Sequence, residues 1–261
     1  MKNAILAASL IVSFVMVSNQ AAWADEGGKV SLETGMDHST GKYGGTQSSD
    51  VWYVPVMLKY QNSSWTFKLI VPYLQVTGPG NVIDIMNGPN AAGNYTTAPV
   101  TRTGMGDVIA AATHNAYNGG DSGLLVNLTG KIKFGTASLA QGLGTGANDF
   151  AFQSDIYQTA GNLTAFATLG YKFYGSPPGY TLLDAFYGSL GSSYKFSHDT
   201  YAGVSFNWGE KIISTGSFHR QAMLFVGHKL DKNWKAQGYL IKGFTNSTPD
   251  MGAGVSVAYL M

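Results

Sequence analysis

Between Leu124 and Tyr157 the side chains alternate. Leu124, Val126, Leu128, Ile132 and Phe134 share one parity with Gly130, while Asn127, Thr129, Lys131 and Lys133 take the other. A period of two sends successive side chains to opposite faces of a strand. After a Gly-rich loop, Phe150, Phe152 and Ile156 alternate with Asp149, Gln153 and Asp155. The two runs predict a long hairpin with one apolar and one polar face.

The same alternation recurs along the chain. Val30, Leu32, Thr34 and Met36 predict a first strand, followed by a loop from His38 to Asp50. Trp52, Val54, Val56, Leu58 and Tyr60 mark the second, and Trp65, Phe67, Leu69, Val71 and Tyr73 the third. Thr77 to Thr103 is rich in Pro and Gly and predicts a long irregular stretch. A fourth strand is predicted over Gly104 to Asn115. Beyond the hairpin come a strand from Leu163 to Phe173, one over Tyr180 to Phe196, one around Val204 to Trp208, one around Ala222 to Val226, one over Trp234 to Phe244, and a last over Ala253 to Met261. The total is about twelve strands of roughly ten residues, the length that crosses a bilayer at a tilt. Short connections at Gln61, Asn118, Thr159, Ser197 and Asp231 alternate with longer ones at Gly41, Pro89, Gly142, Pro178, Gly216 and Pro249.

An apolar strand face can meet a protein core or lipid, and composition separates the two. The chain has 34 Gly, 15 Tyr and 13 Phe, and only 12% of its residues are charged. A soluble sandwich carries more charge on its outer faces. Lys2, the apolar run Ala4 to Val17 and Ala22-Trp23-Ala24 read as a secretory signal peptide over residues 1–24, leaving 25–261 as the mature domain. No later apolar run is long enough for a spanning helix. The fold class expected is therefore all-β: a transmembrane, antiparallel, up-and-down β-barrel of outer-membrane type. Trp52, Tyr60, Trp65, Tyr73, Tyr171, Phe173, Trp208 and Trp234 lie near strand ends, where a barrel carries its aromatic girdles. Val255, Val257, Tyr259 and Met261 alternate to the last residue, the in-phase terminal strand that barrel-assembly machinery reads, with Met in place of the usual aromatic.

The polar parity then faces a lumen. Lys68, Asp107, Lys131, Lys133, Asp149, Asp155, Lys172 and Arg220 are the candidate lumen-lining residues. Pairing within the hairpin sets Asp149 opposite or diagonal to Lys131 or Lys133, as wall-holding ion pairs or as a solute path. The mixed signs exclude a strong single-sign filter. Within the irregular stretch, Val82, Ile83, Ile85 and Met86 form an apolar patch, read as a constriction at the barrel mouth. Pro55 and Pro72 interrupt adjacent strands and mark either bulges or a weakened seam.

Enzymatic and metal chemistry find no support. His38, His114, His198, His219 and His228 are scattered, Cys is absent, and no two His have metal-ligand spacing. Gly142-Leu143-Gly144-Thr145-Gly146 lacks the Lys-Ser/Thr and helix of a phosphate loop. A net charge of +1 gives no polyanion surface, so no nucleic-acid partner is expected. No cofactor is expected either.

The segment GKIKFGTASLAQGLGTGANDFAFQSDIYQ, Gly104-Met105-Gly106-Asp107-Val108, Tyr53-Val54-Pro55 and Val71-Pro72-Tyr73 together resemble the outer-membrane "MetA-pathway of phenol degradation" transporter-like family. Phe134 and Ala137 stand where that family usually carries a Pro and a Gly around Thr136. The resemblance implies an outer-membrane barrel linked with uptake of aromatic or other hydrophobic compounds. The expected function is passive passage of a small hydrophobic or aromatic solute, with outer-membrane lipid and the assembly machinery as further partners. The alternative is a structural or adhesive barrel with a plugged lumen.

Overall fold

The computed structural model describes residues 28–79, 99–177, 179 and 181–261. The signal segment and the patch Val82, Ile83, Ile85 and Met86 lie outside the described residues.

The described strands are β1 (Lys29–Gly41), β2 (Ser49–Gln61), β3 (Trp65–Pro79), β4 (Pro99–Met105), β5 (Ile109–Asn118), β6 (Leu124–Lys133), β7 (Asp149–Ala160), β8 (Leu163–Phe173), β9 (Ala185–Lys195), β10 (Thr200–Gly209), β11 (His219–Lys229), β12 (Trp234–Gly243) and β13 (Met251–Leu260). Apart from β4 and β5, each pairs antiparallel with its sequence neighbours, and β1 pairs with β13, so the sheet closes. Both β4 and β5 lie along β3. They form one interrupted strand, and the barrel has twelve positions around it. Pairing of β1 with β13 joins the two ends of the chain into the closed wall that lipid requires.

The alternation of each strand becomes an inside-out distribution. Outside, Phe152 is 65% exposed, Leu190 62% and Leu240 60%. Inside, Asp149 is 1% exposed and Ser189 4%. Apolar groups stay on the face away from the barrel interior because hydrocarbon solvates them there.

Short turns and long loops segregate to opposite ends. Connections 62–64, 119–123, 161–162, 196–199 and 230–233 lie at one end, and 42–48, 134–148, 174–184, 210–218 and 244–250 at the other. Side chains close the short turns. Asn62 Oδ1 accepts from the Ser64 and Trp65 N–H groups at 3.0 and 2.7 Å. Asp231 Oδ1 accepts from Asn233 and Trp234, both at 2.8 Å. Aromatics gather just inside both ends: Trp65 stacks on Phe67 and Trp234 lies 4.9 Å from Tyr259 at the short-turn end. Tyr171 meets Phe186 at 4.6 Å at the loop end.

Several boundaries differ from the sequence reading. β1 and β2 extend to Gly41 and back to Ser49, shortening the expected His38–Asp50 loop. Residues 77–79 and 99–103, expected to be irregular, pair as strand. The expected fourth strand is broken at 106–108 and runs on to Asn118. The strand expected from Tyr180 starts at Ala185. In each case pairing with a neighbouring strand, which pattern alone does not contain, decides how far the ladder runs.

The break at 106–108 explains one proline. Pro72 sits opposite it, and its carbonyl accepts from Gly106 N–H at 2.8 Å. The register of β3 shifts there between its partners in β4 and β5. Pro55 pairs with Pro72, and the β1–β2 ladder skips the positions opposite Pro55 and Val54. The missing N–H groups fall where the flanking ladders are already interrupted.

Candidate channel lumen

Loop 134–148 folds inward at the loop end of the barrel. Its base is a buried ion-pair cluster. Lys133 Nζ lies 2.6 Å from Asp107 Oδ2 and 3.5 Å from Asp149 Oδ2, and Lys172 Nζ lies 3.0 Å from the same Asp149 oxygen. Lys133 also donates to Thr145 Oγ1 and the Ala147 carbonyl. The strand break between β4 and β5 supplies Asp107, whose other oxygen accepts from Ala137 N–H at 3.0 Å. Thr136 Oγ1 accepts from Val108 N–H at 2.9 Å. The break and the loop therefore hold one another.

The loop's apolar residues complete the contact. Ala137 and Leu143 pack in one buried cluster with Val51 and Tyr53 of β2 and Leu74 of β3. Glycine makes the approach possible. Gly142 and Gly146 have φ of 64° and 65°, the left-handed region. A Cβ on Gly144 would lie 2.9 Å from both Asp107 carboxylate oxygens. Expected only as a hairpin loop, this segment narrows the lumen.

Below it the inner wall is organised in rows of directly paired residues. Lys59 pairs with Lys68, Lys68 with Ala111, Ala111 with Lys131, Lys131 with Ala151, and Ala151 with Lys172. Strands tilt in a barrel, so a line perpendicular to them spirals along the axis. Lys59 lies near the short-turn end of β2 and Lys172 near the loop end of β8. A second row holds Asn127, Asp155, Thr168, Ser189 and Asn207. Within it Asp155 accepts from Thr168 at 2.6 Å and from Gln153 Nε2. Gln153 in turn bonds Lys131 and the Tyr187 hydroxyl.

The remaining wall is aromatic. Phe166, Phe225, Tyr201, Tyr239 and Tyr187 point inward, each directly paired with a glycine: Gly191, Gly203, Gly227, Gly254 and Gly170. A Cβ at any of these glycines would overlap the partner's ring. The rings therefore lie flat along the wall. Phe166 stands 6.4 Å from Phe225, and Phe225 6.3 Å from Tyr201, in tilted and edge-on contacts. Phe166 and Phe225 are buried in a cluster with Met223, and a cavity of about 260 Å³ lies apart from them, lined by Lys68, Lys131, Asp155, Thr168, Tyr157 and Tyr187 among others.

Seven of the eight charged candidates thus lie on the inner side. Lys133, Asp107, Asp149 and Lys172 form the loop clamp, and Lys68, Lys131 and Asp155 face the cavity. Arg220 does not. It is exposed on the outer face of β11, in phase with Leu224 and Val226, with its guanidinium 5.7 Å from the Phe218 ring. Two residues from Ala222, it has the outward parity, and at the loop end of its strand it reaches past the apolar belt. The sequence reading missed the inward aromatics, although Phe166 is in phase with Thr164 and Thr168, and Phe225 with Gln221. It also missed Glu33, in phase with Ser31 and Asp37, and Lys59, in phase with the buried Tyr53 and Met57.

Comparison with known proteins agrees on the fold. The COG4313 outer membrane channel from Pseudomonas putida F1 superposes with a TM-score of 0.70 at 13% identity, over 91% of this chain and 97% of that one. The KdgM porin gives 0.56 at 11% identity, over 88% and 98%. The NanC porin gives 0.56 at 7% identity, over 87% and 98%. KdgM has also been solved in complex with disordered oligogalacturonate. At these identities the likeness is one of fold: a closed, twelve-stranded antiparallel barrel of the outer-membrane type. No protein-family model and no curated protein matches the sequence.

Proposed function

We propose that this chain is an outer-membrane channel through which a small hydrophobic or aromatic solute diffuses passively. The observation that carries the reading is a cavity of about 260 Å³ lined by the rings of Tyr157, Tyr174 and Tyr187 together with polar groups, inside a barrel whose mouth is narrowed by an inward loop. Here aromatic side chains occupy positions that the strand parity assigns to the interior, and Tyr157, Tyr174 and Tyr187 among them line the cavity. The motif resemblance to the phenol-degradation transporter family and the barrel likeness to the COG4313 channel support the same reading. The proposed role is transport without catalysis, in the bacterial outer membrane, after removal of the signal peptide.

One observation favours a second reading. The clamp around Lys133 is buried and fully engaged, as a permanent plug would be. Planar-bilayer recording separates the two. The channel reading expects discrete conductance steps that a small aromatic compound, such as phenol, interrupts. Silent bilayers with correctly folded, heat-modifiable protein would favour the plug.

A further inference from the structure

The outer wall changes character in one sector of its loop end. On β7, β8 and β9 the outward face there carries the exposed rings of Phe150, Phe173 and Phe186. On β11 and β12 the same level carries two cations, Arg220 and Lys242. Both are exposed and outward, in phase with Leu224 and Leu240. Lys242 pairs directly with Ala222, two residues from Arg220, so the two cations are diagonal neighbours across the ladder. Neither forms an ion pair among the described residues. The acids on the adjoining loops are engaged elsewhere: Asp250 accepts from Lys42 N–H and Glu210 from Phe186 N–H. Charge on the lipid-facing side of a strand weakens a barrel least at headgroup level, which is where this pair sits.

The floor between the two cations is recessed. Ala222 has Phe206 and Lys242 in direct register on either side, and Arg220 and Leu224 lie two positions above and below it on the same face. A methyl group among four long side chains leaves a notch, with cations toward the loops and apolar groups beneath. The Phe218 ring, 5.7 Å from the guanidinium, restricts Arg220 at the upper edge. Outer-membrane barrels turn their long loops to the outside, so the notch opens toward the outer leaflet. The glycolipid of that leaflet carries phosphate groups directly above its acyl chains. A phosphate takes two parallel hydrogen bonds from Arg and a further charge-assisted one from Lys, and an acyl chain covers Phe206 and Leu224 below.

We infer that the outer wall of β11 and β12 binds a phosphorylated glycolipid of the lipid A type, one phosphate held between Arg220 and Lys242 and one acyl chain in the notch over Ala222. The site lies outside the lumen and stands whether or not the barrel conducts. The test is native mass spectrometry of the detergent-refolded barrel titrated with diphosphoryl lipid A, with phosphatidylglycerol and inorganic phosphate as rival sources of negative charge. Lipid A should bind roughly ten-fold more tightly than phosphatidylglycerol, and excess inorganic phosphate should not displace it. In R220Q/K242Q lipid A should fall to the level of phosphatidylglycerol. K195Q/K232Q removes the same charge at the short-turn end and should leave lipid A binding unchanged. Ala222→Trp keeps both cations but fills the notch, and should weaken lipid A as well. Heat-modifiable gel mobility shows that each variant is folded. Equal affinity for lipid A and phosphatidylglycerol, displacement by inorganic phosphate, equal loss in the two charge variants, or lipid A binding unaltered in R220Q/K242Q would overturn the inference.

Discussion

Two parts of the lumen are filled in opposite ways. At the loop end, Asp107, Lys133, Asp149 and Lys172 come from four separate elements and clamp loop 134–148 by charge. In the other half, rings lie on the glycines of adjoining strands, pairs that the register alone determines. The first arrangement stands or falls as a network, because a buried charge that loses its partner is costly. The second is a set of local fits repeated around the wall. A segment clamped by a few polar contacts can be released by breaking one of them, whereas a tiled wall yields piece by piece. On the proposed channel reading the clamp is the candidate gate, and the tiles are packing that holds the wall.

The most damaging single change should be in the clamp. Lys133→Ala strands Asp107 and should cost roughly 3–5 kcal/mol in urea unfolding from lipid vesicles. Asp107→Ala combined with Lys133→Ala should cost clearly less than the two single effects added. Strict additivity would show that the pair is not a unit. Next comes the assignment of faces on which both regions depend. Leu169→Arg points from β8 into lipid and should cost about 2–4 kcal/mol. Its neighbour Thr168→Arg enters the lumen beside Asp155 and should fold. Equal damage from the two would mean the wall has been turned inside out.

A smaller loss is expected from the tiles. Gly203→Val pushes the Phe225 ring off its seat and should cost roughly 1–3 kcal/mol, the range for overpacking. Because the fit is local, the ion-pair cluster and its coupling energy should stay unchanged in that variant. A loss of clamp coupling would merge the two regions into one. The smallest effect lies outside both, in the turn at Asp231. Backbone N–H groups of Asn233 and then Trp234 hold its carboxyl below the ordinary carboxylate range. A depressed pKa contributes stability above the unfolded value and loses it as pH falls through the folded one. Asp231→Ala should therefore be slightly destabilising at neutral pH, and the difference from wild type should vanish in strong acid.

How much of this was legible beforehand follows the same division. The strands were legible because lipid outside and polar groups inside impose a period of two, as Leu128 and Asn127 or Leu169 and Thr168 show. The glycine seats were legible in principle: Phe166 breaks an otherwise polar parity, a signal that lipid-facing aromatics obscure. The clamp was legible only within its hairpin, where Lys133 faces Asp149 in direct register. Its partner Asp107 comes from a strand break set by Pro72, and the inward course of the loop follows from contacts with Val51 and Leu74, remote in sequence. Arg220 fails for a simpler reason: charge was allowed to outweigh its parity with Leu224.

The account turns on loop 134–148 as a removable constriction, and single-channel conductance tests that most directly. The wild-type barrel should open in small discrete steps. The charge-balanced double variant Asp107→Ala/Lys133→Ala frees the loop while leaving Asp149 paired with Lys172, and should open in distinctly larger steps with the same folded mobility on gels. Steps of unchanged size in that variant would contradict the account.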